Sequence, residues 1–274
     1  VAPCPCNCLF CSFAAINKVV TGETRITPEQ AVAYALRFEQ AGANAIYVMS
    51  TANYPFGLFI DMCQEIRRTL SPETVLIANI GDQTPEHARR LRDSGVSGVY
   101  HALRLREGTD TKLAPDARVQ SIRTFLEAGL AVGTCVEPIG PEHTNEEVAE
   151  LILFAASFPV SFSGAARRIA IPNTIMAKRG MIPELRMSQV VAITRLGTPR
   201  SVPGTCTHEP CTLGAAAGAN LFWAESGANP RDIVEKTEDN RGESVERCRA
   251  LFWESGWNVL TGPSRHFRPH EPAS

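Results

Sequence analysis

From Thr27 onward the sequence alternates helix-starting signals with short apolar runs, and this rhythm limits the fold more than any other feature. Thr27-Pro28-Glu29-Gln30 offers an N-cap, a first-turn proline and a capping-box glutamine. The helix it opens ends at Gly42, ahead of the apolar run Ala45-Ile46-Tyr47-Val48-Met49. Similar pairs follow: a helix over 56–70 and a strand over 75–78, then a helix from Thr84-Pro85-Glu86 and a strand over 98–105. A helix from Pro115 precedes a strand over 130–136. Gly42, Gly95 and Gly129 each follow a helix, where a left-handed cap favours glycine. Thr144 and Glu147 form a second capping box, with Val148, Leu151, Ile152 and Ala155 on one helical face. Strands over 168–171, 201–202 and 220–223, with a helix over 187–196, continue the pattern. Asn229-Pro230-Arg231-Asp232 reads as a turn into charged amphipathic helices that reach Trp257.

Strands alternating with helices of this length predict βαβ units and a parallel sheet. Seven strands follow the N-terminal cysteines, with room for one before them, and seven plus one is a (β/α)8 TIM-type barrel. A six-stranded partial barrel is the alternative. The chain opens on Val1 rather than methionine, so the expectation is a piece whose first strand is largely missing. One domain is expected over residues 1–274, with the barrel over about 1–225 and a C-terminal helical extension over 226–274. In either barrel, chemistry belongs at the C-terminal ends of the strands.

With 44% hydrophobic residues, the 274-residue chain has ample material for a core. A net charge of −2 supplies no excess positive field for a polyanion, so nucleic acid is not an expected partner. No apolar run is long enough to cross a bilayer, no signal peptide opens the chain, and a cytoplasmic setting is expected.

Nine cysteines make an odd count that fits a secreted disulfide framework poorly. Four lie within eight positions, at Cys4, Cys6, Cys8 and Cys11, and such clustered thiolates point to metal. Cys4, Cys8 and Cys11 have C-x3-C-x2-C spacing, with Phe10 just before the last. Three thiolates on a four-iron cube leave one iron open to chelate a small molecule. The alternative is a structural zinc site completed by Cys6, although one-residue spacings suit zinc knuckles poorly.

The loop resembles the signature of the radical S-adenosylmethionine (radical SAM) superfamily, in which this spacing and an aromatic residue before the third cysteine recur. The resemblance implies that Cys4, Cys8 and Cys11 hold a [4Fe–4S] cluster, that Phe10 helps wall the SAM site and that Cys6 is a bystander. It extends along nearly the whole chain and is greatest for the biotin-synthase-like branch, which includes biotin synthase, a hydrogenase maturase, methylornithine synthase and a pyridinol-cofactor methylase. Ser50 and Thr51, in Met49-Ser50-Thr51-Ala52, fall where the family meets the amino group of SAM; an ordinary strand exit is the other reading. Arg104 and Glu107 fall where it contacts ribose and carboxylate, although Arg104 can equally form an interior ion pair. Ile139 and Gly140 match its fifth-strand packing on adenine, with Glu137 at the same strand end and His143 as an exposed turn residue.

The chain also departs from biotin synthase, whose second cluster uses three strand cysteines and an arginine. The matching positions lie near Val48 and Asn79, and only Cys135 falls close to one. Cys206, His208 and Cys211, in Thr205-Cys206-Thr207-His208-Glu209-Pro210-Cys211, either join Cys135 in a second metal or cluster, line a substrate pocket, or simply pack. Cys63 and Cys248 read as helix core. The implied function is a radical SAM enzyme that abstracts hydrogen from a small-molecule substrate. Its reaction would be pyridinol-cofactor-methylase-like or methylornithine-synthase-like, with a reducing electron donor such as flavodoxin or ferredoxin. The alternatives are sulfur insertion of the biotin synthase type and a non-catalytic zinc or iron–sulfur barrel.

Overall fold

The computed structural model describes residues 3–23, 25–227 and 243–267. After the cysteine loop come α1 (Pro28–Gln40), β1 (Ala45–Met49), α2 (Phe56–Thr69), β2 (Val75–Asn79), α3 (Pro85–Asp93), β3 (Gly98–Tyr100) and α4 (Pro115–Glu127). Then follow β4 (Ala131–Gly133), β5 (Val136–Ile139), α5 (Asn145–Ala156), β6 (Phe162–Arg167), α6 (Glu184–Gly197), β7 (Gly204–Thr207), α7 (Thr212–Ala216) and α8 (Val245–Glu254). Both predicted capping boxes form, Thr27 with Gln30 and Thr144 with Glu147, and each satisfies amide donors that the first helical turn leaves open. Gly42, Gly95 and Gly129 take positive φ of 84°, 88° and 81°, as a left-handed cap requires.

All seven strands belong to one parallel sheet, ordered β1-β2-β3-β4-β6-β5 with β7 on β6. Because β4 and β5 both pair with β6, they are two halves of one passage, interrupted at Thr134 and Cys135. The sheet curls, and the segment after β7 returns to β1, with the Tyr47 and Trp223 rings 4.9 Å apart. The α/β barrel class is as expected, but the described residues form six passages in one sheet rather than eight.

Four strand expectations are corrected. The strand placed at 168–171 is β6, Phe162–Arg167, whose Ser163-Gly164-Ala165-Ala166 core lacks the β-branched residues that mark strands in sequence. The packing admits no larger residue at Gly164, where a Cβ would lie 2.0 Å from the Cys206 carbonyl oxygen. The strand placed at 201–202 is β7, and that at 98–105 stops at Tyr100. The run 220–223 makes a single bridge, Leu221 to Cys206, rather than a strand. In the extension, α8 is present, whereas the turn expected at Asn229-Pro230-Arg231-Asp232 lies outside the described residues.

One apolar layer, including Leu76, Val99, Ile122 and Phe125, fills the space between sheet and helices. A second fills the barrel interior, where Ile77, Tyr100, Ala131, Phe162 and Phe267 pack together. Phe267 arrives from the C-terminal stretch, which runs past the start of β1: Ser264 donates to the Asn44 carbonyl at 2.7 Å, and Asn44 Nδ2 donates to Gly262. This stopper lies beneath Phe162, 5.5 Å ring to ring, and leaves the other end of the barrel for a site.

Candidate active site

The cysteine loop crosses the strand C-terminal ends and is fastened there by backbone hydrogen bonds. Cys4 donates to Phe13, Ala15 to Cys4, Cys11 to Cys8, and Leu9 to Asp110. The buried Asn17 amide ties its centre, donating to the carbonyls of Cys8 at 3.1 Å and Cys11 at 2.8 Å while its Oδ1 accepts from Ile175. Cys4, Cys6, Cys8, Phe10 and Cys11 all border one cavity of about 690 Å3. The Cys4 thiol is lowered to about 6, foremost by a hydrogen bond from Cys6, with the Ala52 amide assisting. Burial pushes Cys11 up to about 12 and raises Cys8.

Behind the loop lies a layer of buried charge. Arg104 lines the cavity, with its Nε 3.4 Å from Glu137 and its Nη1 3.6 Å from Glu107. Glu107 accepts from Thr111 at 2.6 Å and from the Arg104 amide at 3.1 Å. Arg118 donates to the Ala102 carbonyl and to Asp82, which His101 also meets at 2.9 Å. Carboxylates on two sides hold the Arg104 guanidinium in one orientation, with its charge offset in a dry setting.

Beneath this layer the barrel interior is aromatic. Tyr47 touches both Tyr100 (6.2 Å between centroids) and Trp223 (4.9 Å). Trp223 Nε1 is buried without a hydrogen-bond partner, as is Ser50 Oγ nearer the loop, while Tyr100 OH reaches the Cys135 sulfur. All three residues line the cavity, so a ligand that supplies acceptors would relieve a cost of about 1–3 kcal/mol per orphaned group.

The structure gathers Cys4, Cys8, Cys11, Phe10, Ser50, Thr51 and Arg104 around this cavity and also places His208 there. Three expected cofactor contacts sit elsewhere. Glu107 is behind Arg104 and positions it. Ile139 packs outward with Val148 and Leu151, while Glu137 and Pro138 of the same strand face the cavity. Gly140 leaves room for Arg168, since a Cβ there would meet that guanidinium at 2.3 Å. His143 is half-buried rather than exposed, and its Nδ1 accepts from the Gly140 amide.

The group suspected of holding a second metal is divided. Cys135 and Cys206 meet in the interior with sulfurs 3.9 Å apart. His208 stands at the rim, 3.6 Å from Glu225. Cys211 caps α7, accepting from the Gly214 amide, in the outer layer. Cys63 and Cys248 are buried helix residues, as read. Tyr47, Asn79, Asn17 and Arg118 were missed in sequence. The inward period of β1, which brings Tyr47 to the face of Ala45, is the one signal that could have found any of them.

The profile of the radical SAM superfamily matches residues 3–155, more than half of the chain. The chain belongs to the radical SAM superfamily. Biotin synthase of Bacillus subtilis is 28% identical over 174 residues, which are 58% of this chain and 51% of that protein. Biotin synthase of Neorickettsia sennetsu is 24% identical over 238 residues, 81% of this chain and 73% of that one. The chain thus spans about half the length of the Bacillus relative and more of the other. Among solved structures, methylornithine synthase has the same fold, with a TM-score of 0.76 at 14% identity over 96% of this chain and 80% of its own.

A [4Fe–4S] cluster and S-adenosylmethionine are the cofactors of this superfamily member. The loop offers three soft thiols, Cys4, Cys8 and Cys11, on the border of one cavity, and thiolates are the ordinary ligands of an iron–sulfur cluster. Asp110, Glu142 and His143 place ligand atoms within 4.8 Å of one another. They are nevertheless poorly suited to a cation, because Arg168 grips Glu142 and the Gly140 hydrogen bond to Nδ1 leaves the ring proton of a neutral His143 on Nε2.

Proposed function

We propose that the protein is a radical SAM enzyme in which Cys4, Cys8 and Cys11 carry the cluster and the adjoining cavity receives SAM and a small-molecule substrate. What chiefly supports this reading is that one cavity is bordered by the three motif thiols, by Arg104 and by the aromatic interior. When bound, the cluster and SAM supply a carbon radical that abstracts hydrogen. The chain's own residues do the rest. Phe10, Ser50 and Thr51 border the SAM end, and Arg104, aligned by Glu137 and Glu107, presents a fork to a carboxylate. Tyr47, Tyr100, Trp223 and the Phe267 stopper exclude water, which limits side reactions of a reactive species. Trp223 Nε1 awaits an acceptor on the substrate.

Within the branch we favour chemistry that needs no second cluster, of the methylornithine-synthase or pyridinol-cofactor-methylase kind. The interior apolar group contains two thiols, Cys135 and Cys206, and Asn79 stands where sulfur insertion would use a cysteine. The reductant is a low-potential carrier such as flavodoxin or ferredoxin. The setting is a reducing one such as the cytoplasm, which suits nine unbridged cysteines. No helix among the described residues is long and apolar enough to cross a membrane.

The test is anaerobic EPR of the iron-reconstituted, dithionite-reduced protein with and without SAM. A four-iron signal that changes on adding SAM is expected. It should survive Cys6→Ala and vanish in Cys4→Ala, Cys8→Ala and Cys11→Ala. A signal indifferent to SAM, or equal loss in all four variants, would sink the proposal.

A further inference from the structure

Cys6 is the thiol of the N-terminal loop that the C-x3-C-x2-C spacing leaves unused, yet its surroundings fix it in place. Its carbonyl accepts from the Lys112 amide at 2.8 Å, which ties it to the segment ahead of α4. Its side chain is half-buried and packs on the small apolar group of Cys4, Phe13 and Val20. It also borders the same cavity as the three motif thiols.

The Cys6 thiol donates a hydrogen bond to the Cys4 sulfur, and the Cys6 and Ala52 amides donate to the same atom. Cys4 is itself pinned, because its amide donates to the Phe13 carbonyl at 2.7 Å and its carbonyl accepts from Ala15 at 3.0 Å. Three donors therefore converge on one sulfur. Two of them are backbone groups and persist whatever side chain stands at position 6. The third depends on the Cys6 side chain alone. A donor aimed at a ligand sulfur stabilises the negative charge that builds there on reduction, and so favours the reduced form of a cluster.

We propose that Cys6 is a positioning residue for the cluster, whose S–H against the Cys4 sulfur raises the cluster's reduction potential. The inference rests on the cluster assignment proposed above. Cys6 acts through Cys4 and forms no bond to iron. No covalent step is involved: the electron still comes from the low-potential carrier, and Cys6 sets how much of the cluster is reduced at a given poise. Serine at this position keeps an O–H donor, whereas alanine removes the donor and leaves both amides.

The test is an EPR-monitored redox titration of the iron-reconstituted holoenzyme, with dithionite and low-potential mediator dyes, for wild type, Cys6→Ala and Cys6→Ser. At the wild-type midpoint, Cys6→Ala should hold about tenfold less reduced relative to oxidised cluster, a midpoint about 59 mV lower for one electron. Cys6→Ser should recover most of that shift, and iron content should be equal in all three proteins. A Cys6→Ala midpoint equal to that of wild type would overturn the proposal and leave Cys6 inert. Equal shifts in both variants would trace the effect to packing of the thiol, and loss of iron in Cys6→Ala would make Cys6 a ligand; either result overturns it as well. A wild-type signal indifferent to SAM would bring down the radical SAM reading, while the three midpoints would still decide the role of Cys6. A wild type that takes up no four-iron cluster would bring down both.

Discussion

His101 offers a quantitative check on the charged layer behind the loop. Its imidazole is 1% exposed, edge-on to Phe125, with Nε2 2.9 Å from Asp82 and Nδ1 unpartnered. Burial above all, then the Arg118 guanidinium, lowers its pKa from 6.5 to about 4 despite the pull of Asp82. Asp82 itself sits at about 2: burial alone would raise it, but the His101 hydrogen bond and Arg118 together outweigh that. Above pH 6.5 both the folded and the unfolded chain carry a neutral imidazole. As pH falls from 6.5 towards 4, the unfolded chain takes up a proton that the folded chain refuses, so stability drops across that window. The gap between 6.5 and about 4, at about 1.4 kcal/mol per pH unit, amounts to about 3 kcal/mol. Asp82 stays ionised throughout, and its own contribution is lost only as pH falls from 3.8 towards 2. Anaerobic urea denaturation between pH 7.5 and pH 4 measures the effect. Wild type should lose about 3 kcal/mol more than His101→Gln over that range, since other titrating groups are common to both. Parallel stability curves would refute the reasoning and mean that His101 is not a desolvated neutral group.

Two further outcomes follow from local geometry. Gly133→Ala drives a methyl against Phe162 and should cost about 1–3 kcal/mol in denaturant unfolding, as overpacked interiors do; an unchanged midpoint would mean that the interior has slack. Arg104→Lys keeps the charge but loses the fork shared between Glu137 and Glu107, so SAM affinity should fall about tenfold by calorimetry while iron content holds. Wild-type affinity in that variant would remove Arg104 from the cofactor site.

Where residues act through nearest neighbours in the chain, the sequence was readable. The capping boxes at Thr27 and Thr144 and the glycines after α1, α3 and α4 are local hydrogen-bond and backbone problems, each solved within a few residues. The spacing of Cys4, Cys8 and Cys11 is equally local, because one loop must wrap one cube. Strand β6 was misplaced because what suits it to its position, a run of small residues after Phe162 that packs closely on β7, contradicts the propensity by which strands are recognised.

Long-range packing decided the remainder. Glu107 and Ile139 lie in the stretches expected to meet the cofactor, yet the buried arginines and the layer under α5 turn both away from the cavity. Asn17 links the cysteine loop to Ile175, 158 positions along the chain, and Tyr47 of β1 meets Trp223 of the segment after β7. The four residues suspected of sharing a metal occupy an interior, a rim and an outer layer, although three of them lie within six positions. By itself the sequence determined the helix–strand rhythm, the thiol spacing and hence the family. Which side chains share the cavity was decided by the tertiary structure, because the direction a strand residue faces, and what it faces, depend on the register of neighbouring strands.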